Sequence, residues 1–560
     1  MLSPTVLSSF GIAPSIHHSQ VRPWNFTKLT VLFVGLLTAF RIAYIFFWCP
    51  YDLAPDEAHY WDWSRHLDWS YYSKGPLVAW LIRGSVELFG GISLAAQGTM
   101  TAAVRVPAAL CGGLFLLGIY RLAQSTLESG RLAFWCAALA AVMPAVNAFS
   151  LIMTIDAPYL ACWVWAMVFG FEAMRDNRRW KWLAAGFVAA LGILAKYTMA
   201  VWLGSFVLFL LVNPLRRSLL LTMNFWLMVF MASLSALPIL IWNSSHEWVT
   251  FRHVAGQAGV GGPQTAGLRW AGPFEFVGSQ AALLLGYWFV IGLQAMWANR
   301  PGQRVETPLS YLWWMSVPTL ALFTVVSLKA PIQLNWPAGA YVGGTVLVVD
   351  FLRRTLPLAG RRRRQLVFGL LGTFLFIGGL GTVIIHESRW MTRQIARFLP
   401  PDSPEKPTRI RQFDPAARLK GWQHLAGELD RIRREFRESG QDDPILAGLR
   451  WDLPGEMGFY CEGHPSVYSL GLAMGDRHSQ YDWWRPNPLT DAQEFQGKTF
   501  VFVGVPGVEF ALEGAFDQVD PPVVVTHHEG DRAAAQWYVW VCRGYQGFGN
   551  PANFQAGSRH

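Results

Sequence analysis

The chain has 560 residues, of which 52% are hydrophobic and 15% charged, and 28 are Trp. A soluble domain carries about a quarter charged residues, so the composition excludes an ordinary soluble protein and indicates a membrane one. The formal net charge of +9 does not point to nucleic acid, because the basic residues fall in short loops between apolar segments, where membrane orientation accounts for them.

Residues 1–28 read as a polar cytoplasmic tail, with no apolar signal core near the start and no small-residue cleavage site after the first span, which is therefore retained. A membrane helix needs about 20 apolar residues, and about eleven segments qualify. They are 29–48, 102–123, 132–152, 157–174, 182–195, 198–213, 218–241, 276–297, 309–327, 334–352 and 365–385. The short pair 182–195 and 198–213 also fits a re-entrant hairpin. With the N-terminus inside, the inner loops hold most of the basic residues, including Arg178, Arg179, Lys181, Arg216, Arg217, Arg300, Arg304, Arg353, Arg354 and Arg361 to Arg364. An odd number of spans then places residues 386–560 outside.

The first outer loop, 49–100, contains an amphipathic stretch, 77–89, suited to lying along the interface. A second, 243–275, carries the glycine-rich run 255–262, which reads either as a gate over a cavity or as a surface loop. Beyond the membrane domain, 29–385, the segment Pro400 to Pro407 predicts a stiff linker. After it, 416–438 has charged helical periodicity, and the runs 499–503, 522–525 and 537–541 predict strands, together a small α/β domain. Cys111, Cys136 and Cys162 fall in spans as apolar fillers, whereas Cys461 and Cys542 lie where an oxidising compartment permits a disulfide.

The chemistry-bearing residues gather on the outer side. Asp56-Glu57-Ala58-His59 spells a helicase box, but no phosphate-cradling Gly-x-x-x-x-Gly-Lys loop accompanies it, so nucleotide chemistry is excluded. The histidine pairs His17-His18 and His527-His528 lack metal-ligand spacing, and no Cys/His cluster fits zinc. Around Asp56 and Glu57 stand His59, Tyr60, Trp61, Tyr71 and Tyr72, an expensive set of aromatics for a plain loop, and they are expected to line a substrate cavity. An ionised aspartate is able to take a proton from an attacking hydroxyl or amine, so Asp56 is a candidate base, with Glu57 beside it. Asp156, in Thr154-Ile155-Asp156-Ala157-Pro158, lies on the same side and reads either as a helix cap or as a second catalytic acid. Lys74 on a Gly75-Pro76 turn, Arg105 at the head of the second span, and Lys196 are the cations placed to hold a phosphate leaving group; the bland reading of Arg105 and Lys196 is snorkelling to headgroups.

Asp56-Glu57 after the first span, Lys74-Gly75-Pro76-Leu77, Asp156-Ala157-Pro158, Ala195-Lys196-Tyr197-Thr198 and Asn335-Trp336-Pro337-Ala338, in this order, resemble the multi-spanning polyprenyl-phosphate-sugar glycosyltransferases. That superfamily holds protein O-mannosyltransferases and lipid A aminoarabinose and galacturonosyl transferases. The likeness covers roughly residues 30–350, and Arg450-Trp451-Asp452 with Ser479 to Trp484 looks like the outer tail of bacterial members.

The resemblance implies a polytopic helical type C glycosyltransferase fold in the bacterial inner membrane. It further implies a polyprenyl-phosphate sugar donor, a lipid, glycan or protein acceptor, and inverting transfer on the periplasmic face. Asp56 becomes the catalytic carboxylate, Asp156 a second acid and Lys74 a ligand of the lipid phosphate. Relatives usually show Lys-Pro-Pro where this chain has Lys74-Gly75-Pro76, which leaves the lysine but alters its presentation. No cofactor is required; a divalent metal is compatible with the chemistry without being demanded by it. Two other readings compete: a surface-glycan ligase or polymerase with a diphosphate-linked donor, and a lipid flippase or transporter, which would carry charges through mid-membrane and symmetric repeats.

Overall fold

The computed structural model describes residues 25–259, 267–302, 307–403 and 407–549. The expectations for residues 1–24, for 260–262 of the glycine-rich run, for Arg304 and for linker positions 404–406 fall outside them.

The membrane part begins with α1 (Phe26–Phe47), capped by Asn25, whose side chain accepts from Lys28 N at 3.1 Å. Two helices then precede the next long one: α2 (Pro55–Arg65), with Pro at its first position, and α3 (Leu77–Gln97). α4 (Thr101–Leu127), α5 (Gly130–Ala141), α6 (Pro144–Phe149), α7 (Asp156–Asp176), α8 (Arg179–Ala195), α9 (Ala200–Val212), α10 (Met223–Ser233), α11 (Ala236–Ser245) and α12 (Val249–Gln257) follow. The part closes with α13 (Gly272–Leu283), α14 (Tyr287–Ala298), α15 (Pro308–Val326), α16 (Ala340–Thr355) and α17 (Arg361–His386). Among the described residues seven helices are long and apolar enough to cross a membrane, α10 and α11 together counting as one, or eight if α13 and α14, bent by 108° at their junction, form one span. The remaining expected segments fall on shorter helices or helices split in two. The break between α13 and α14 escapes a hydropathy reading because Leu284 and Leu285 keep the segment apolar while Leu285 and Gly286 adopt positive φ, 56° and 60°.

The short pair is not re-entrant. Lys196, after α8, reaches Asp156 at the head of α7, and Lys181, near the start of α8, reaches Asp176 at the foot of α7. Arg216, after α9, returns to Met174 O at 2.7 Å. Both helices therefore run the length of α7. Conversely α3, although 21 residues long, stays on one face. Its Ser85 donates to Ala103 O at 2.6 Å, Ser93 to Thr99 O at 2.8 Å and Gln97 to Ile45 O at 2.7 Å, so its middle and its end both touch the adjoining ends of α1 and α4. Its exposed Arg83–Glu87 pair suits an interfacial helix.

After α18 (Arg389–Ala396) comes the C-terminal domain, built on α19 (Trp422–Glu438), α20 (Pro454–Tyr460) and a six-stranded mixed sheet. The strands are β1 (Ile445–Gly448), β2 (Tyr468–Ser469), β3 (Phe500–Gly504), β4 (Phe516–Val519), β5 (Val523–Glu529) and β6 (Arg532–Tyr545). The order is β2-β1-β3-β6-β4, with β5 also on β6; β1 is parallel to β2 and β3, and β6 antiparallel to its partners. Strand alternation sends Val501, Val503 and Val539 toward α19 and Phe500, Phe502 and Trp540 into a second core. Cys461 lies in the first core and Cys542 in the second, and both are free thiols, so the permitted disulfide does not form.

This domain is seated on the loop between α1 and α3. Asp52 accepts from Trp422 N at 2.8 Å and Gln423 Nε2 at 2.7 Å, a carboxylate at the N-terminus of α19. Tyr460 accepts from Leu53 N at 2.7 Å. α20 lies on α2 so closely that a Cβ on Gly455 would stand 2.8 Å from the backbone of Ala58 and His59.

The two ends of the helical part are told apart by their contacts. Arg354 donates to Asn299 at 2.6 Å, which puts positions 300 and 360 near one end. Tyr44, near the end of α1, donates to His386 O at 2.5 Å, which puts the C-terminal domain at the other. Reporter fusions after residues 300, 360 and 400 are expected to read inside, inside and outside; an inside reading at 400 contradicts this arrangement.

Candidate active site

The site is built around α2. Pro55 starts the helix, and the Glu57 side chain turns back to accept from Ala54 N at 2.8 Å. Glu57, fully buried, also receives Met153 N at 2.8 Å and a two-pronged ion pair from Arg105, with Nη2 at 2.7 Å and Nε at 3.0 Å. Arg105 uses its other donors on the carbonyls of Tyr51 (3.1 Å) and Asp52 (2.6 Å). The pair fixes the chain before α2, the head of α4 and the turn before α7. These two residues were expected to act on substrate; the structure instead commits them to each other and to backbone, away from the cavity that Asp56 faces. The reason is geometric: the neighbour of an outward-facing helical residue points about 100° away.

Asp56 opens on a polar cavity of about 360 Å³. Lys74, Asp156 and Lys196 line the same cavity, together with His59, Tyr60 and Tyr72. Trp61 and Tyr71, expected there, are structural. Trp61 packs edge-on against Phe459 at 4.8 Å, and Tyr71 stacks on Trp63 at 4.2 Å while its hydroxyl donates to the carbonyls of Trp63 and His66, each at 3.1 Å.

Asp56 makes no hydrogen bond or close ion pair among the described residues. Burial pushes its pKa up, and the charges of Arg418, Lys74 and Arg477 hold it back. Lys74 also lacks an ion-pair partner among the described residues, and burial, reinforced by the like charge of Lys196, lowers its pKa to about 8. Its turn needs Gly75, because a Cβ there would run into the carbonyl of Leu194. That contact, two residues before Lys196, brings the Lys74 turn against the end of α8. His59 is kept neutral, pushed down to about 3 by burial among aromatic rings.

Asp156 is not a cap. It occupies the first turn of α7 with its carboxylate held by Lys196 Nζ at 2.8 Å and Asn335 Nδ2 at 2.7 Å. With Asn335 and Thr154 it also borders a second, strongly apolar cavity of about 420 Å³ between α6, α7, α14, α16 and α17. The site is thus a polar chamber opening at Asp156 onto an apolar groove.

Sequence reasoning missed the contribution of the C-terminal domain. Arg418, Trp451, Arg477 and Gln480 all line the polar cavity, as does His253 of α12. Gln480 accepts from Tyr72 N at 2.7 Å, tying that segment to the lysine loop. Residues 255–257 of the glycine-rich run belong to α12, whose His253 packs on Tyr72 at 4.8 Å. No local pattern marks Arg418 or Arg477; only the docking of α20 on α2 brings them in. Among the described residues no group of three or more His, Cys, Asp or Glu is placed to hold a metal ion.

Residues 73–242 match the family described as dolichyl-phosphate-mannose-protein mannosyltransferase. Lipid A galacturonosyltransferase RgtD of Rhizobium johnstonii is 28% identical over 336 residues, which cover 60% of this chain and 67% of that protein. The fold is similar to that of ArnT from Cupriavidus metallidurans, both in the apo state and bound to undecaprenyl phosphate. Each of those structures has a TM-score of 0.57 over 92% of this chain and 98% of the other, at 16% and 15% identity.

Removing one partner of a buried ion pair leaves the other charge uncompensated, at a cost of about 3–5 kcal/mol. Arg105→Ala is accordingly expected to lower the thermal unfolding temperature in detergent sharply, whereas Lys74→Ala, which breaks no ion pair among the described residues, leaves it nearly unchanged. Equal stability of the two variants would show that the pair is not a structural anchor.

Proposed function

We propose that this chain, a multi-pass membrane glycosyltransferase of the type C fold, moves a sugar from a polyprenyl-phosphate donor to a lipid acceptor with inversion at the anomeric carbon. The observation that carries the reading is the junction at Asp156: a chamber holding a carboxylate and a lysine that are unpaired among the described residues adjoins an apolar groove. Such a junction suits a ligand with a hydrocarbon tail, a phosphate and a sugar, and a flippase needs no carboxylate poised at one end of the path. The membrane is the inner membrane and the chamber faces the periplasm, as the arginine-rich loops at the opposite end favour. The similarity to a lipid A galacturonosyltransferase makes a glycolipid the favoured acceptor over a protein or a free glycan.

In this reaction the acceptor oxygen attacks the anomeric carbon as its proton passes to the Asp56 carboxylate. The new carbon–oxygen bond forms as the bond to the phosphate oxygen breaks, and its electron pair leaves with the lipid phosphate. Lys74 offsets that charge from a partly dry position. A carboxylate raised above its ordinary pKa by burial is a stronger base than one in water. Asp156, held by Lys196 and Asn335, orients the sugar at the mouth of the groove.

A positioned base contributes about 10²–10⁴-fold, so Asp56→Asn is expected to lose transfer by that factor while still binding polyprenyl phosphate. Near-normal transfer by purified Asp56→Asn would remove the base assignment. Lys74→Ala is expected to weaken binding of polyprenyl phosphate itself, by about 1.5–3 kcal/mol.

A lowered lysine pKa means the charged form dominates below it and is lost above. Affinity of the free enzyme for polyprenyl phosphate is therefore expected to be level between the second ionisation of the phosphate, near pH 6, and about pH 8, and to decline above it. Affinity that stayed level well past that pH, or that matched in Lys74→Ala, would move the phosphate elsewhere.

A further inference from the structure

The charges of the polar cavity do not balance. Lys196 is committed to Asp156, which leaves Lys74, Arg418 and Arg477 around Asp56. None of these three forms an ion pair among the described residues. Three cations against one carboxylate leave a surplus of two positive charges. The phosphodiester of the bound donor carries one negative charge and offsets one of them; a second charge develops on the phosphate only as it leaves.

Both arginines are exposed at the cavity, on chain segments that are held in place. The Arg477 guanidinium lies over the Trp451 ring at 5.2 Å, and three residues on, Gln480 is bonded to Tyr72. The carbonyl of Arg418 accepts from Trp422 Nε1 at 2.9 Å, and Trp422 is itself held by Asp52. Both come from the C-terminal domain, whereas Lys74 comes from the loop before α3. A guanidinium presents a planar fork that matches a carboxylate or a phosphate, which an ammonium does not. Arginines left without counterions in a cleft concentrate anions there.

We propose that Arg418 and Arg477 form a second anion subsite, separate from the lipid-phosphate position at Lys74, which binds a carboxylate or phosphate group on one of the two substrates. The inference rests on the polyprenyl-phosphate reading above and deepens it: the C-terminal domain selects for an acidic substrate. The acidic group is either the carboxylate of a uronic acid on the donor or a phosphate on the acceptor headgroup.

The test uses the full chain with Arg418→Gln, Arg477→Gln and the double variant. A donor arm compares a polyprenyl-phosphate-linked hexuronate with the matching hexose; an acceptor arm compares a phosphorylated glycolipid with its dephosphorylated form. In one arm kcat/KM for the acidic substrate is expected to fall about ten- to a hundredfold, the size of a lost charged hydrogen bond, with the neutral counterpart little affected, and the responding arm names the source. Arg477→Lys is expected to recover part of the loss, which separates lost charge from a misfolded domain. Equal losses on acidic and neutral substrates in both arms would overturn the subsite, as would lost affinity for bare polyprenyl phosphate in the glutamine variants. Failure of the underlying donor reading shows separately, as absence of polyprenyl phosphate binding by the unaltered protein.

Discussion

The buried pair between Glu57 and Arg105 is the constraint on which the rest of the site depends. Its two carboxylate oxygens gather Arg105, Ala54 N and Met153 N, and the guanidinium gathers the carbonyls of Tyr51 and Asp52. One ion pair thereby joins the exit of α1, the start of α2, the head of α4 and the approach to α7. The desolvation of two charges is costly unless every donor and acceptor is used, and here most are. Because Asp56 precedes Glu57 and Asp156 follows Met153 by three residues, the pair sets the separation of the two acids that face the cavity.

Around this anchor the chain separates two environments. On one side of Asp156 the walls are polar and charged; on the other they are side chains of Phe, Leu, Met and Val. Asn335, in the turn before α16, and Lys196, just after α8, hold Asp156 at the boundary. A ligand that is apolar at one end and anionic at the other finds its register from that boundary without further specific contacts. The C-terminal domain then roofs the polar side, locked down through Asp52, Tyr460 and Gly455, and contributes the arginines that leave the chamber positively charged. That surplus favours a substrate pair that carries an acidic group beyond the donor phosphate.

The class of fold was readable because hydropathy reports burial in hydrocarbon directly, and the motif order placed Asp56, Lys74, Asp156 and Lys196 on one side, where all four line one cavity. What escaped the sequence was direction. Glu57 adjoins Asp56 in the chain yet points into the protein, and Trp61 and Tyr71 are as aromatic as Tyr60 and Tyr72 yet serve packing. Breaks in apolar runs were equally silent, as at Leu285, since backbone conformation leaves no mark on hydropathy. Arg418 and Arg477 stand hundreds of positions from Asp56, and only tertiary docking joins them. In the C-terminal domain the three apolar runs became β3, β5 and β6, while β1, β2 and β4 are too short for alternation to show.

The central claim is a single displacement at the anomeric carbon, with Asp56 as base and the lipid phosphate as leaving group. The most direct measurement is the anomeric configuration of the sugar in the transferred product, read by nuclear magnetic resonance from purified enzyme given a donor of known configuration. One displacement predicts the opposite configuration in the product. Retention would require a covalent sugar–enzyme intermediate and a second displacement, and would contradict the account.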